Sequence, residues 1–213
     1  FGTRRRLKSV AAGQMAAAIA WAAVRRGDRI GGFFFAPGKH RELRPAGGRR
    51  GAMRLIQGLV DWLQPERHPT GEPEKLSSAL ERVRHTVRPG SLVIIVSDFF
   101  GLDAQCNRHL SRLRQHSDVV GLQITDPIEI NTPPPGRYGV SDGVQAGVLD
   151  TGSGEGRRHY REFFQARQQR LQRLTGQRGI PLVQLSTTDN VTEALQARFG
   201  GRRRLPAVSG ASA

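Results

Sequence analysis

The stretch "LVIIVSDFF" (92–100) runs through five apolar residues and then stops on Ser97 and Asp98. A buried carboxylate is costly unless something pairs with it. Asp98 therefore holds a cation, caps a helix or starts a turn. Two further apolar runs end the same way, "SDVVGLQITDP" on Thr125 and Asp126, and "IPLVQLSTTD" on Ser186 to Asp189. Oxygen-only donors of this kind suit Mg²⁺ or Mn²⁺ rather than softer metals. Aspartate after a strand also caps helices and makes turns, and "TDP" and "TTDN" have mainly that character. Other chemistry is thinly supplied. No G-x-S-x-G occurs, and "GSGEG" (152–156) lacks the lysine of a phosphate loop. The histidines 40, 68, 85, 109, 116 and 159 show no metal spacing, and His109 and His116 read as one solvated helix face. Cys106, the only cysteine, has no activating partner in sequence and reads as a core residue. A divalent-metal hydrolase built on Asp98 ranks last, since no general base or second carboxylate is placed beside it.

The elements that position these residues alternate. Helices are expected over 4–28, closed by Gly27, and over 49–65, with Met53, Ile56, Leu59, Val60 and Leu63 on the inner face. A loop (66–74) leads to a helix over 75–87, and Asp103 is a natural N-cap for another over 102–116. Strands fall at 29–37, whose three phenylalanines suggest cover on both faces, at 40–45, at 92–98, at 117–127 and at 180–189. Residues 128–156 read as a loop and hairpin, 157–179 as a long basic helix and 190–201 as a last helix. The order implies an α/β domain over 1–201, with a mostly parallel sheet and helices on both faces. Residues 202–213 read as a flexible basic tail. Ligands of such sheets gather beyond the carboxyl ends of the strands, where the three polar clusters meet.

The charge is lopsided: 33 Lys+Arg against 18 Asp+Glu, a net +15, with only three lysines. Arginine-rich surfaces admit acidic proteins, nucleic acid and anionic membranes as partners. The arginines are spread along the chain, and no nucleic-acid-reading motif accompanies them. The helix at 157–179 needs Tyr160, Phe163, Phe164, Leu171 and Leu174 for packing, which makes its arginines a wet face. The longest apolar stretch, "MAAAIAWAAV" (15–24), is shorter than the roughly 20 residues a membrane span requires. With no secretory signal visible and a lone cysteine, the expected place is the cytoplasm.

Three segments, "RRRLKSVAAGQMAAAIAWAAVRRGDRIGGFFF", "GSLVIIVSDFF" and "HSDVVGLQITDPIE", resemble in order and spacing the domain-of-unknown-function family 58. The resemblance covers about residues 1–150. It implies a three-layer, von Willebrand factor A-like fold, commonly encoded beside MoxR-type AAA+ ATPases. In such proteins "FGT" follows the first core strand and its Asp-x-Ser-x-Ser signature, so the resemblance implies an N-terminally incomplete domain that lacks this strand. Membrane association would then come through upstream segments. Of the family's metal-ion-dependent adhesion site, Asp98 and Ser97 match the third loop. Glu74 takes the place where the second loop usually has threonine. The resemblance thus implies a non-enzymatic adaptor that works with a MoxR-like ATPase or its client through a partial Mg²⁺ site. The rival reading is a basic α/β module that binds nucleic acid or an anionic membrane surface.

Overall fold

The computed structural model describes residues 6–36, 39–64, 75–141 and 146–199. Helix α1 (Lys8–Arg26) ends at Gly27, whose φ of +78° is open to a residue without a β-carbon. A hairpin of β1 (Arg29–Ala36) and β2 (Lys39–Gly47) follows, then α2 (Gly48–Leu63), α3 (Leu76–Thr86), β3 (Leu92–Ser97), α4 (Ala104–His116) and β4 (Asp118–Thr125). The short α5 (Pro127–Ile130), a second hairpin of β5 (Arg137–Ser141) and β6 (Ala146–Asp150), α6 (Gly154–Gly176), β7 (Leu182–Ser186) and α7 (Val191–Phe199) complete the chain.

Strands β3, β4 and β7 form a three-stranded, wholly parallel sheet in that order. Period-two alternation sends its apolar side chains to both faces. On one face Leu122, Ile124 and Leu185 are sealed by Ala11 and Met15 of α1, with Val191, Ala194 and Leu195 of α7 alongside. On the other, Val119 packs with Leu76 and Leu80 of α3, Cys106, Leu110 and Leu113 of α4 and Leu171 of α6. The expected helices on both faces are present.

Several expectations change. The aromatic strand β1 does not join the parallel sheet: among the described residues it pairs with β2 alone, antiparallel, with an irregularity between Ile30 and Gly32. Its aromatics find cover locally. Phe34 packs with Ala20, Ala52 and Leu55 and lies 5.9 Å from Trp62, while Phe33 stacks at 5.7 Å on His40 of its own hairpin. Helix α2 keeps Leu59 of its expected inner face against the core but turns Met53 and Val60 away from it. Gly51, Ala52, Leu55 and Gly58 are buried, whereas Met53 and Val60 are about half exposed. The reason is close approach: a β-carbon at Gly51 would strike the Ala46 carbonyl, and one at Gly58 would lie 2.9 Å from Leu43 Cδ1. His109 is buried beside Cys106 and Leu110 rather than solvated. Helix α6 starts earlier than its basic run, because Ser153 Oγ accepts the Gly156 N–H at 3.0 Å and makes "GSGEG" a helix start. Residues 202–213 lie outside the described residues.

Candidate functional site: the carboxyl edge of the parallel sheet

The register sets Ser97 beside Gln123 and Thr125 beside Ser186, so the three polar clusters do share one edge. As β3 ends, Ser97 Oγ accepts the N–H of Phe99 and Asp98 Oδ1 accepts that of Phe100, both at 3.0 Å. Between them Phe99 takes a φ of +55°, rare for a side chain of its size. Its ring is buried in the core under α3 and α4, which offsets the roughly 1–2 kcal/mol such a conformation costs.

At the end of β4, Asp126 is fully buried and caps α5. Its Oδ1 accepts from the N–H of Ile128 at 3.1 Å and its Oδ2 from the Thr187 hydroxyl at 2.8 Å, while Glu129 Oε2 accepts the Asp126 N–H at 3.0 Å. This reciprocal arrangement is a capping box. Asp189 likewise ties a turn, accepting the Ser186 N–H at 2.8 Å.

Glu129 turns its other oxygen to two cations. Lys8 Nζ donates to Glu129 Oε1 at 2.6 Å and faces Asp98 Oδ2 at 3.4 Å. Arg167 of α6 reaches Glu129 Oε1 at 3.4 Å and donates to the Asp98 carbonyl at 2.5 Å. Lys8, Glu129 and Arg167 keep only 10%, 6% and 16% of their side-chain surface exposed. Arg6 donates to the Thr187 carbonyl at 2.8 Å and to that of Asp189. Tyr160 donates to the Ile128 carbonyl at 2.6 Å. Its phenol is pushed up to about 12 by burial and then by the nearby Glu129 and Asp126 carboxylates.

The edge therefore holds two acids, buried Glu129 and partly exposed Asp98, paired with the cations Lys8 and Arg167. Sequence reasoning found Ser97, Asp98 and Asp126 but missed Lys8, Glu129, Arg167 and Tyr160. One signal for Lys8 was readable: it is one of three lysines among 33 basic residues and shares a helical stripe with Ala11 and Met15. Whether these residues suit Mg²⁺ follows from their partners. Ser97 Oγ and Asp98 Oδ1 are engaged by backbone N–H groups, and Asp98 Oδ2 faces an ammonium that would repel a dication. Glu74 lies outside the described residues, and among those described no three His, Cys, Asp or Glu are grouped to hold a metal. The described residues do not fit a divalent cation.

The model of a family described as "Protein of unknown function DUF58" matches residues 1–173. The chain belongs to this family. Comparison of this DUF58 chain with curated proteins gives no match. Among solved structures it is similar to conserved hypothetical protein BatB from Bacteroides thetaiotaomicron, at 13% identity and a TM-score of 0.51, over 90% of this chain and 86% of that one. It is also similar to an aerotolerance-related membrane protein from Bacteroides fragilis NCTC 9343, at 14% identity and a TM-score of 0.51, over 87% and 85%. At such identities the likeness concerns the fold, a mixed α/β architecture. No helix among the described residues is long and apolar enough to cross a membrane.

Proposed function

We propose that the chain is a non-enzymatic protein-interaction module on a von Willebrand factor A-like, three-layer frame, an adaptor for a MoxR-type AAA+ ATPase or its client. One observation carries this reading. At the edge where α/β folds place their ligands, the ionisable groups are spent on each other, through the Lys8–Glu129, Lys8–Asp98 and Arg167–Glu129 pairs. A general acid or base needs a group free to exchange its proton with a substrate, and these are committed to holding the loops. What such an edge offers outward is shape and surface.

We infer that the same frame takes a further strand between β1 and β3. Among the described residues each has hydrogen-bond partners on one side only, and α1 packs against both. Such a strand would join the two sheets. A membrane-associated position on the cytoplasmic side would be in keeping with a fold neighbour described as a membrane protein.

The test is capture of a purified MoxR-type ATPase by the chain and by Asp98→Ala, each with Mg²⁺ and with EDTA. Capture by the unaltered chain is expected under both conditions, as Lys8 supplies the counter-charge to Asp98. Capture that needs Mg²⁺ and Asp98 would assign a metal to Ser97, Asp98 and Glu74 and displace the lysine-centred reading. No capture under any condition sinks the adaptor proposal.

A further inference from the structure

The outward side of the same edge carries an unusual amount of exposed aromatic carbon. Phe100, in the turn after β3, and Phe163, on α6, are 55% and 54% exposed, and their rings meet at 6.2 Å. Phe163 also meets Phe164 edge-on at 5.2 Å, so the patch has a fixed floor. Contiguous exposed aromatic surface of this kind marks interaction sites. The Arg167 guanidinium lies 4.2 Å from the centre of the Phe100 ring and covers one of its faces. Its Nε–H has no acceptor among the described residues.

The rim is positive. Arg170 follows Phe163 by two helical turns, on the same stripe of α6, and is exposed, and α6 as a whole has six arginines against two glutamates. Glu162 is opposite Arg158 at 3.9 Å. We propose that this patch is a docking site for an acidic, amphipathic protein segment. One large apolar side chain of that segment would seat against Phe100 and Phe163, and a neighbouring carboxylate would face Arg170. Nucleic acid fits less well. Base stacking wants open ring faces, whereas Arg167 covers one face of Phe100 and the phenylalanines contact each other at steep angles, 48° and 90°. The proposal rests on the interaction-module reading and adds to it a place and a partner chemistry.

The experiment is selection of a displayed library of random 12-residue peptides on the whole chain, with Phe163→Ser/Arg170→Glu as the counter-target. Both substituted residues are exposed, and an unchanged thermal melt checks that the variant folds. The expected winners carry several Asp or Glu around a Leu, Phe or Trp. Binding of the leading peptide should weaken at least tenfold in the double variant and not yield to competition by a single-stranded oligonucleotide. Basic winners, no enrichment, or equal binding to the double variant would overturn the proposal, as would displacement by the oligonucleotide. If the ATPase is captured but the double variant captures it equally well and no acidic peptide is selected, the docking site fails while the adaptor reading stands.

Discussion

Lys8 holds two carboxylates at the sheet edge from the first turn of α1. Removing one member of a buried pair leaves the other charged and stranded. Lys8→Met is expected to lower stability by about 3 kcal/mol, near the low end of the usual range because Arg167 still faces Glu129. Lys8→Met/Glu129→Gln should recover much of that loss, because the glutamine oxygen can still accept the Asp126 N–H. Urea melts of the two variants check it. Two shifted groups give pH-linked expectations. Burial first, outweighing the backbone N–H of Asp103 beside its sulfur, pushes the Cys106 thiol up to about 11, so it should ignore aromatic disulfide reagents at pH 8 until the protein unfolds. The Tyr160 phenol ionises near 12 when folded and near 10 when unfolded. The unfolded chain thus loses its proton first, and stability present below pH 10 declines towards pH 12. Tyr160→Phe should remove that part of the decline in alkaline melts. The aspartates were the legible part of the site, since Asp126 and Asp189 do cap and turn. Glu129 and Arg167 were not, because only the fold brings residues from α5 and α6 to meet α1.

Helices that pack through small residues defeat an apolar-periodicity reading. Helix α2 shows Met53 and Val60 to solvent and buries Gly51, Ala52 and Gly58, because contact with β2 rewards thinness over bulk. Gly51→Ala, a change that favours helices elsewhere, is therefore expected to destabilise by about 1–3 kcal/mol through overpacking. Arg50→Ala next to it should be near neutral, and thermal melts separate the two. Helix α1 behaves alike: Leu7 at its start and Trp21 are exposed while Lys8, Ala11 and Met15 are buried. Helix α6 departs for another reason. Phe163 belongs to its apolar run but has no layer above it among the described residues, a fact that lies in the tertiary arrangement. Signals resting on one residue's local chemistry held well: Gly27 closes α1, and Asp103 caps α4, its Oδ1 accepting the Cys106 N–H at 2.8 Å.

At the scale of the molecule, the strands and most helices were legible from their periods, while their pairing was not. Nothing local tells β1 to stay out of the parallel sheet. As a result, β3 has an unpaired side among the described residues, with Val93, Ile94, Ile95 and Val96 only partly buried. Open apolar edges invite association. The isolated 213-residue chain should melt below about 50 °C, at the low end for mesophile domains, and should aggregate on heating. Light scattering during a thermal ramp checks this, and a sharp reversible transition above that temperature would contradict it. The middle position of β4 has a consequence for synthesis. Its second neighbour, β7, lies 60 residues downstream, as the bond from Thr125 to the Leu185 carbonyl shows. A ribosome that has delivered β3 and β4 must still translate the second hairpin and all of α6 before the sheet can close. During that interval the edge of β4 that will receive β7 is open, and the chain needs shelter more while it is being made than once that strand is in place.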